Sequence, residues 1–193
     1  MAKKKYEFRP DKTGPGLLDK IHLTKTQRQN LLKWLLYGLV LLVLSVLQDV
    51  VLCKFRIFGA TTDLVPCGIL LICLAEGVER GCVFVLVASM LFLFSGSAPG
   101  FYAVPLLTVL AVGVTILRQG LLRKGFASAV LCVTLGMLLY EASIYVAGLV
   151  LELTRPERIV GFVLTAAMSL VAVPALYGII RSIGNIGGES WKD

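Results

Sequence analysis

The feature that most constrains this chain is the recurrence of long apolar runs almost empty of charge. Residues 35–51 contain Asp49 as their one charged side chain, and residues 126–140 contain none. A bilayer core about 30 Å thick is crossed by roughly 20 such residues in a helix. A helix is also one of the few structures that satisfies every backbone N–H and C=O without water. Composition argues the same way, with 57% hydrophobic and 16% charged residues against roughly 45–50% and about 25% in soluble domains. The fold class expected is an all-α polytopic membrane protein.

Six apolar segments follow one another at 34–52, 64–78, 81–95, 102–117, 126–151 and 159–183, which predicts six transmembrane helices. The second and third are short, reaching about 22 Å at 1.5 Å per residue. They are therefore either thin spans or a re-entrant pair, and in both cases the hairpin is expected to be embraced by the longer helices. Residues 1–30 read as a polar tail, interrupted by Pro10, Gly14, Pro15 and Gly16, with a short helix from Leu17. Residues 31–184 form the membrane domain, and 185–193 a second short tail. The first apolar run follows a polar stretch and lacks a small-x-small cleavage site, so it reads as a retained anchor.

The net charge of +7 does not point to nucleic acid, because nine of the nineteen Lys and Arg residues precede Trp34 and the rest sit at span ends. That distribution is topological information. With the N-terminus inside, fifteen basic residues fall on the inner side and four, Lys54, Arg56, Arg155 and Arg158, on the outer. The positive-inside rule then makes both termini cytoplasmic. Lys3, Lys4 and Lys5 read as a solvated tail beside the lipid headgroups, fewer than the basic clusters that recognise particular lipids. Cys53, Cys67, Cys73, Cys82 and Cys132 have no C-x-x-C pairing and no nearby histidine, so they read as small packing residues.

Polar residues inside the apolar runs are the candidate functional positions, since a mid-membrane acid costs about 2.5–3.5 kcal/mol on insertion scales. Glu141 is the most demanding of them. Helical spacing puts it on a stripe with Thr134, Met137, Tyr145 and Gly148, while Leu135, Leu139, Val146 and Val150 lie opposite. The stripe is expected to face protein, with Glu141 a neutral, hydrogen-bonded acid locking helices together rather than a proton or cation site. No second acid and no cation is apparent at mid-span. Gln48 and Asp49, with Ser45, form a second polar cluster near the outer end of the first span, and Asp63 reads as the N-cap of the helix that follows. No G-x-S-x-G, H-E-x-x-H or P-loop pattern occurs, and His22 is the single histidine. The chain therefore reads as non-enzymatic, with no cofactor and no metal. Internal duplication and a charged pair within the spans, both marks of transporters, are likewise not apparent.

Three stretches carry a family resemblance: Gln48-Asp49 at the end of the first span, Ile57-Phe58-Gly59-Ala60-Thr61-Thr62-Asp63-Leu64, and Ser95-Gly96-Ser97-Ala98-Pro99-Gly100-Phe101-Tyr102-Ala103. Gly96, Pro99 and Gly100 make the last a tight, uncharged reversal, with Tyr102 at the interface. Together they resemble the MreD family of bacterial rod-shape proteins, whose members show a G-x-x-P-D-L entry and an S-G-x-x-x-G-x-Y-A turn. Thr62 stands where the family often has proline, and Phe92 where many members carry an aspartate, so no family role is assigned at position 92. The resemblance implies a multi-pass scaffold of the bacterial inner membrane within the sidewall peptidoglycan-synthesis (elongation) complex. It implies direct contact with an MreC-like protein and a wider assembly with the MreB cytoskeleton and a glycosyltransferase and transpeptidase pair. It also implies a fold like that of the substrate-binding subunits of energy-coupling-factor transporters. The alternative is such a subunit itself, binding a vitamin-like small molecule.

Overall fold

The computed structural model describes residues 25–54, 60–121 and 125–186. Residues 1–24 with the helix expected from Leu17, residues 187–193, and Arg56 with residues 57–59 lie outside the described residues, whereas residues 25–30, read as part of the polar tail, are already helical. Among the described residues there are seven α-helices: α1 (Lys25–Val46), α2 (Leu64–Glu76), α3 (Val78–Phe94), α4 (Ala103–Leu121), α5 (Phe126–Val150), α6 (Ile159–Val171) and α7 (Val173–Gly184). Three stretches, Gln27–Val51, Ala103–Gly120 and Phe126–Val150, are each long and apolar enough to cross a membrane, and the bent pair of α6 and α7 makes a fourth. The chain is thus an all-α membrane protein with three to four such spans.

The pattern of burial is that of a protein solvated by lipid. Outward-facing positions are large and apolar, among them Leu35, Leu39, Val83, Leu91, Val109, Leu131, Val146 and Val163, while Lys33, Gln48, Thr115, Arg118, Glu141 and Ser169 are buried. Apolar surface gains nothing by leaving a hydrocarbon solvent, so the polar groups are the ones that seek protein partners.

The short helix α2 occupies the centre of the bundle. Every residue from Leu64 through Ala75 is buried, and α1, α3, α4, α5 and α7 pack around it. This uniform burial agrees with its unbroken apolar sequence, which has no polar stripe to turn outward. Its partner α3 corrects the expectation of an embraced hairpin, because Val83, Val87, Leu91 and Phe94 are exposed while Gly81, Val85, Ala88 and Phe92 face inward. Only α2 is enclosed.

Close approach of the two hairpin arms depends on Gly81, where a Cβ would meet Cys73 Sγ at 2.9 Å and the Cys73 carbonyl oxygen at 3.0 Å. Backbone cannot swing aside as a side-chain end does. Gly81→Ala is expected to destabilise the protein by about 1 kcal/mol, the low end for overpacking, read as a lowered thermal midpoint in detergent.

The segment expected as one sixth helix is broken. α6 and α7 meet at Ala172 with a 47° bend, because Pro174 in the first turn of α7 has no N–H for the carbonyl four residues back and its ring crowds that carbonyl. α1 also changes character, passing into a π-helical turn at Leu47–Val51 and a 3-10 turn at Leu52–Lys54.

Candidate functional site

Three irregularities, the π-helical end of α1, the start of α2 and the break between α6 and α7, meet in one buried polar joint. The wider π turn carries Gln48 to the inside, where it is 8% exposed, while Asp49 stays exposed. Gln48 Oε1 accepts from the Leu64 and Val65 amides at 2.9 and 3.1 Å. These are two of the four orphan donors of the α2 N-terminus. Asp63 occupies the N-cap position, as expected, but its side chain makes no capping bond. The capping oxygen comes instead from another helix, sixteen residues earlier in the chain.

Asp63 is held from the other side. Its amide donates to Ser169 Oγ at 2.8 Å, and Ser169, in the last turn of α6, donates to the Thr165 carbonyl at 2.8 Å. The Asp63 carboxyl lies close enough to that of Glu141 for the two charges to act on each other. Glu141 is 4% exposed, and no amide, hydroxyl or cationic donor among the described residues reaches its Oε1. The Tyr140 hydroxyl beside it is likewise buried without such a partner. The second acid missing at mid-span is therefore supplied by the loop before α2. Glu141 lies fifteen residues from the start of α5, about 22 Å along its axis, so α2 begins well inside the layer that α5 traverses. Irregular backbone at that depth must be enclosed by protein, and Ala60 and Thr62 are buried accordingly.

The predicted stripe of α5 divides. Met137, Glu141 and Gly148 are buried, and Leu135, Leu139, Val146 and Val150 are exposed, as expected. Thr134 donates to the Val130 carbonyl within its own helix, and Tyr145 donates to the Pro156 carbonyl with its ring against Phe162. Neither joins Glu141. Asp49 accepts from Ser97 Oγ at 2.8 Å and sits near Ser45 Oγ at 3.4 Å, tying α1 to the turn after α3. In that turn Gly96 has φ +78°, which a glycine adopts without strain, and a Cβ on Gly100 would meet the Tyr102 ring at 2.6 Å, so Gly96 is favoured by its backbone and Gly100 by the packed ring; Pro99 lies between them.

A second buried polar group closes the opposite end of α2. Lys33 Nζ lies 2.6 Å from Glu76 Oε1, and Tyr37 donates to the same oxygen at 2.8 Å. Arg118 Nη1 donates to the Leu74 carbonyl at 3.0 Å. This pair was not foreseen, since Lys33 stands just ahead of the 34–52 segment and Glu76 near the end of 64–78. Its sequence signal was Lys33 and Tyr37, four residues apart on one face of α1, with Glu76 at the end of an otherwise uncharged run.

The site presents two carboxyls, an amide and hydroxyls. Among the described residues no three His, Cys, Asp or Glu side chains are grouped to hold a metal. Compared with protein-family models, curated proteins and solved structures, the chain finds no match in any of the three. Gln48→Leu is expected to lose about 1 kcal/mol, the usual worth of an N-cap, seen as a lower thermal midpoint.

Proposed function

We propose that this chain is a non-enzymatic, MreD-like scaffold of the bacterial sidewall peptidoglycan-synthesis complex, crossing the inner membrane six times with both termini cytoplasmic. The observation that carries the reading is the convergence of the three resembling stretches. Gln48 bonds the Leu64 amide, and Asp49 bonds Ser97, so the residues that carry the resemblance form one connected structure. α1 and α2 run antiparallel, joined through Lys33–Glu76 at one end and Gln48–Leu64 at the other, which is how a short second crossing would be held against the first. The basic count favours the orientation. The partners follow from the resemblance: an MreC-like protein directly, and through it MreB and the synthase pair.

A second reading, a small-molecule-binding subunit of an energy-coupling-factor transporter, has one observation in its favour. A groove of about 280 Å³ opens between α1 and α3, lined by Leu41, Val65, Phe84 and Phe92 with Ser45 and Ser95 at its edge. Affinity purification from membranes of the native host separates the two. Recovery of elongation-complex proteins, with loss of rod shape on depletion, is expected; copurification of a transporter ATPase and a bound vitamin would reverse the assignment.

A further inference from the structure

We propose that the groove between α1 and α3 is a binding site for one membrane lipid, its acyl chain lying in the groove and a primary-ammonium headgroup held by Asp49. The site is the same whichever assembly the chain serves, and its occupant differs from the vitamin-like molecule of the second reading.

The shape of the groove selects a hydrocarbon chain. Trp34 and Tyr37 of α1 lie against Phe84 near the start of α3, and Asp49 beyond α1 bonds Ser97 beyond α3. The two helices therefore run in the same direction, with Gly38 and Phe84 at one end of the groove and Ser45 and Ser95 at the other. From Gly38 to Asp49, and from Phe84 to Ser95, the helix axis advances about 16 Å. That is half of a hydrocarbon core about 30 Å thick, the depth of a single leaflet. Asp49 stands near the end of the apolar stretch Gln27–Val51 and Gly38 near its middle, so the groove begins beside the headgroups and stops near mid-membrane. The Phe84 ring, packed on Trp34 and Tyr37, closes the deep end. Val65 and Ala88 are buried and make the floor, while Leu42 and Leu91 are exposed banks. A chain can thus enter sideways without leaving hydrocarbon. The volume of about 280 Å³ is below the roughly 300–1,000 Å³ of sites that enclose small molecules. A transmembrane helix, about 10–12 Å across with its side chains, is too wide to enter.

Selection falls to the headgroup, because an acyl chain gains nothing by exchanging lipid for an equally apolar groove. Asp49 provides it. Both of its carboxylate oxygens accept from Ser97 Oγ at 2.8 Å, and Oδ2 lies 3.4 Å from Ser45 Oγ. Ser95 Oγ stands 3.1 Å from Ser97 Oγ. These donors are hydroxyls, so they orient the carboxylate and leave its negative charge in place. A carboxylate has about four acceptor sites, and Asp49 is exposed, so acceptor capacity remains toward the headgroup layer. A primary ammonium brings N–H donors together with the opposite charge. Phosphatidylethanolamine has such a head. A choline head has the charge without the N–H, and phosphatidylglycerol has no positive charge.

The test uses the full-length protein in nanodiscs holding phosphatidylethanolamine, phosphatidylcholine and phosphatidylglycerol in equal parts, with native mass spectrometry of the lipid retained on release. Wild type is expected to keep one lipid and to favour the ethanolamine head about two- to fivefold, the factor a partly exposed ion pair supplies. Asp49→Asn should still keep a lipid but lose the preference. Gly38→Leu should lose the retained lipid, since a Cβ there meets nothing within 4 Å and the new side chain fills the deep end without a clash. Gly113→Leu, equally open but on α4, should keep it. Equal retention of the three heads by wild type would overturn the proposal, as would a preference that survives Asp49→Asn or retention unchanged in Gly38→Leu. A vitamin or a partner helix that copurifies from native membranes and is lost from Gly38→Leu would also overturn it.

Discussion

Glu76→Leu alone is expected to cost about 3–5 kcal/mol of stability, the range for removing one partner of a buried ion pair. The side chains of Lys33 and Glu76 are 8% and 3% exposed, so little solvent is present to take over the ammonium charge when the carboxylate goes. The loss is larger than the attraction itself, because it includes the cost of a buried cation deprived of its carboxylate. Tyr37 also loses its acceptor, and with 0% exposure its hydroxyl has no water in reach. Replacing both ions, as Lys33→Met with Glu76→Leu, should recover most of the loss, since an apolar pair removes the desolvation cost on both sides. A thermal double-mutant cycle in detergent measures this. Coupling near zero would mean that the pair is already solvated.

The expectation of an all-helical membrane protein followed from run length and charge because those depend on local sequence alone. So did the two faces of α5, where the 3.6-residue period separates Leu135 and Leu139 from Met137 and Glu141. What periodicity does not contain is which residue of another segment arrives beside a given one. Glu141 was legible as a buried acid, but its neighbour Asp63 is seventy-eight positions away in the chain and looked like a local cap. Gln48 was legible as polar, but its capping of α2 depends on a π turn that rotates it inward, and nothing in Leu47–Val51 distinguishes such a turn from plain α-helix. The break at Ala172 had a local signal in Pro174, which the continuous apolarity of 159–183 outweighed. Ser169 had none, since a serine in a membrane helix commonly bonds its own backbone.

Arg118 is expected to be the other large determinant of stability. It is 6% exposed near the end of α4, and its Nη1 donates to the Leu74 carbonyl, one of the last carbonyls of α2 left without an intrahelical N–H. The cation also sits where the α2 dipole concentrates negative charge. Gly77 follows at φ +82°, so the chain turns at once into α3, and the guanidinium latches this turn to α4. Arg118→Met keeps much of the apolar stem but removes the donor, and a charge-assisted bond of this kind is worth about 1.5–3 kcal/mol. Lysine has a single, more strongly hydrated head in place of the planar fork, so Arg118→Lys should recover only part of the loss. The effect should also be local. Amide hydrogen exchange is expected to quicken first in the last turn of α2 and the first of α3, while the Gln48-capped start of α2 stays protected. Uniform loss of protection along α2 would show that Arg118 supports the whole bundle rather than this turn.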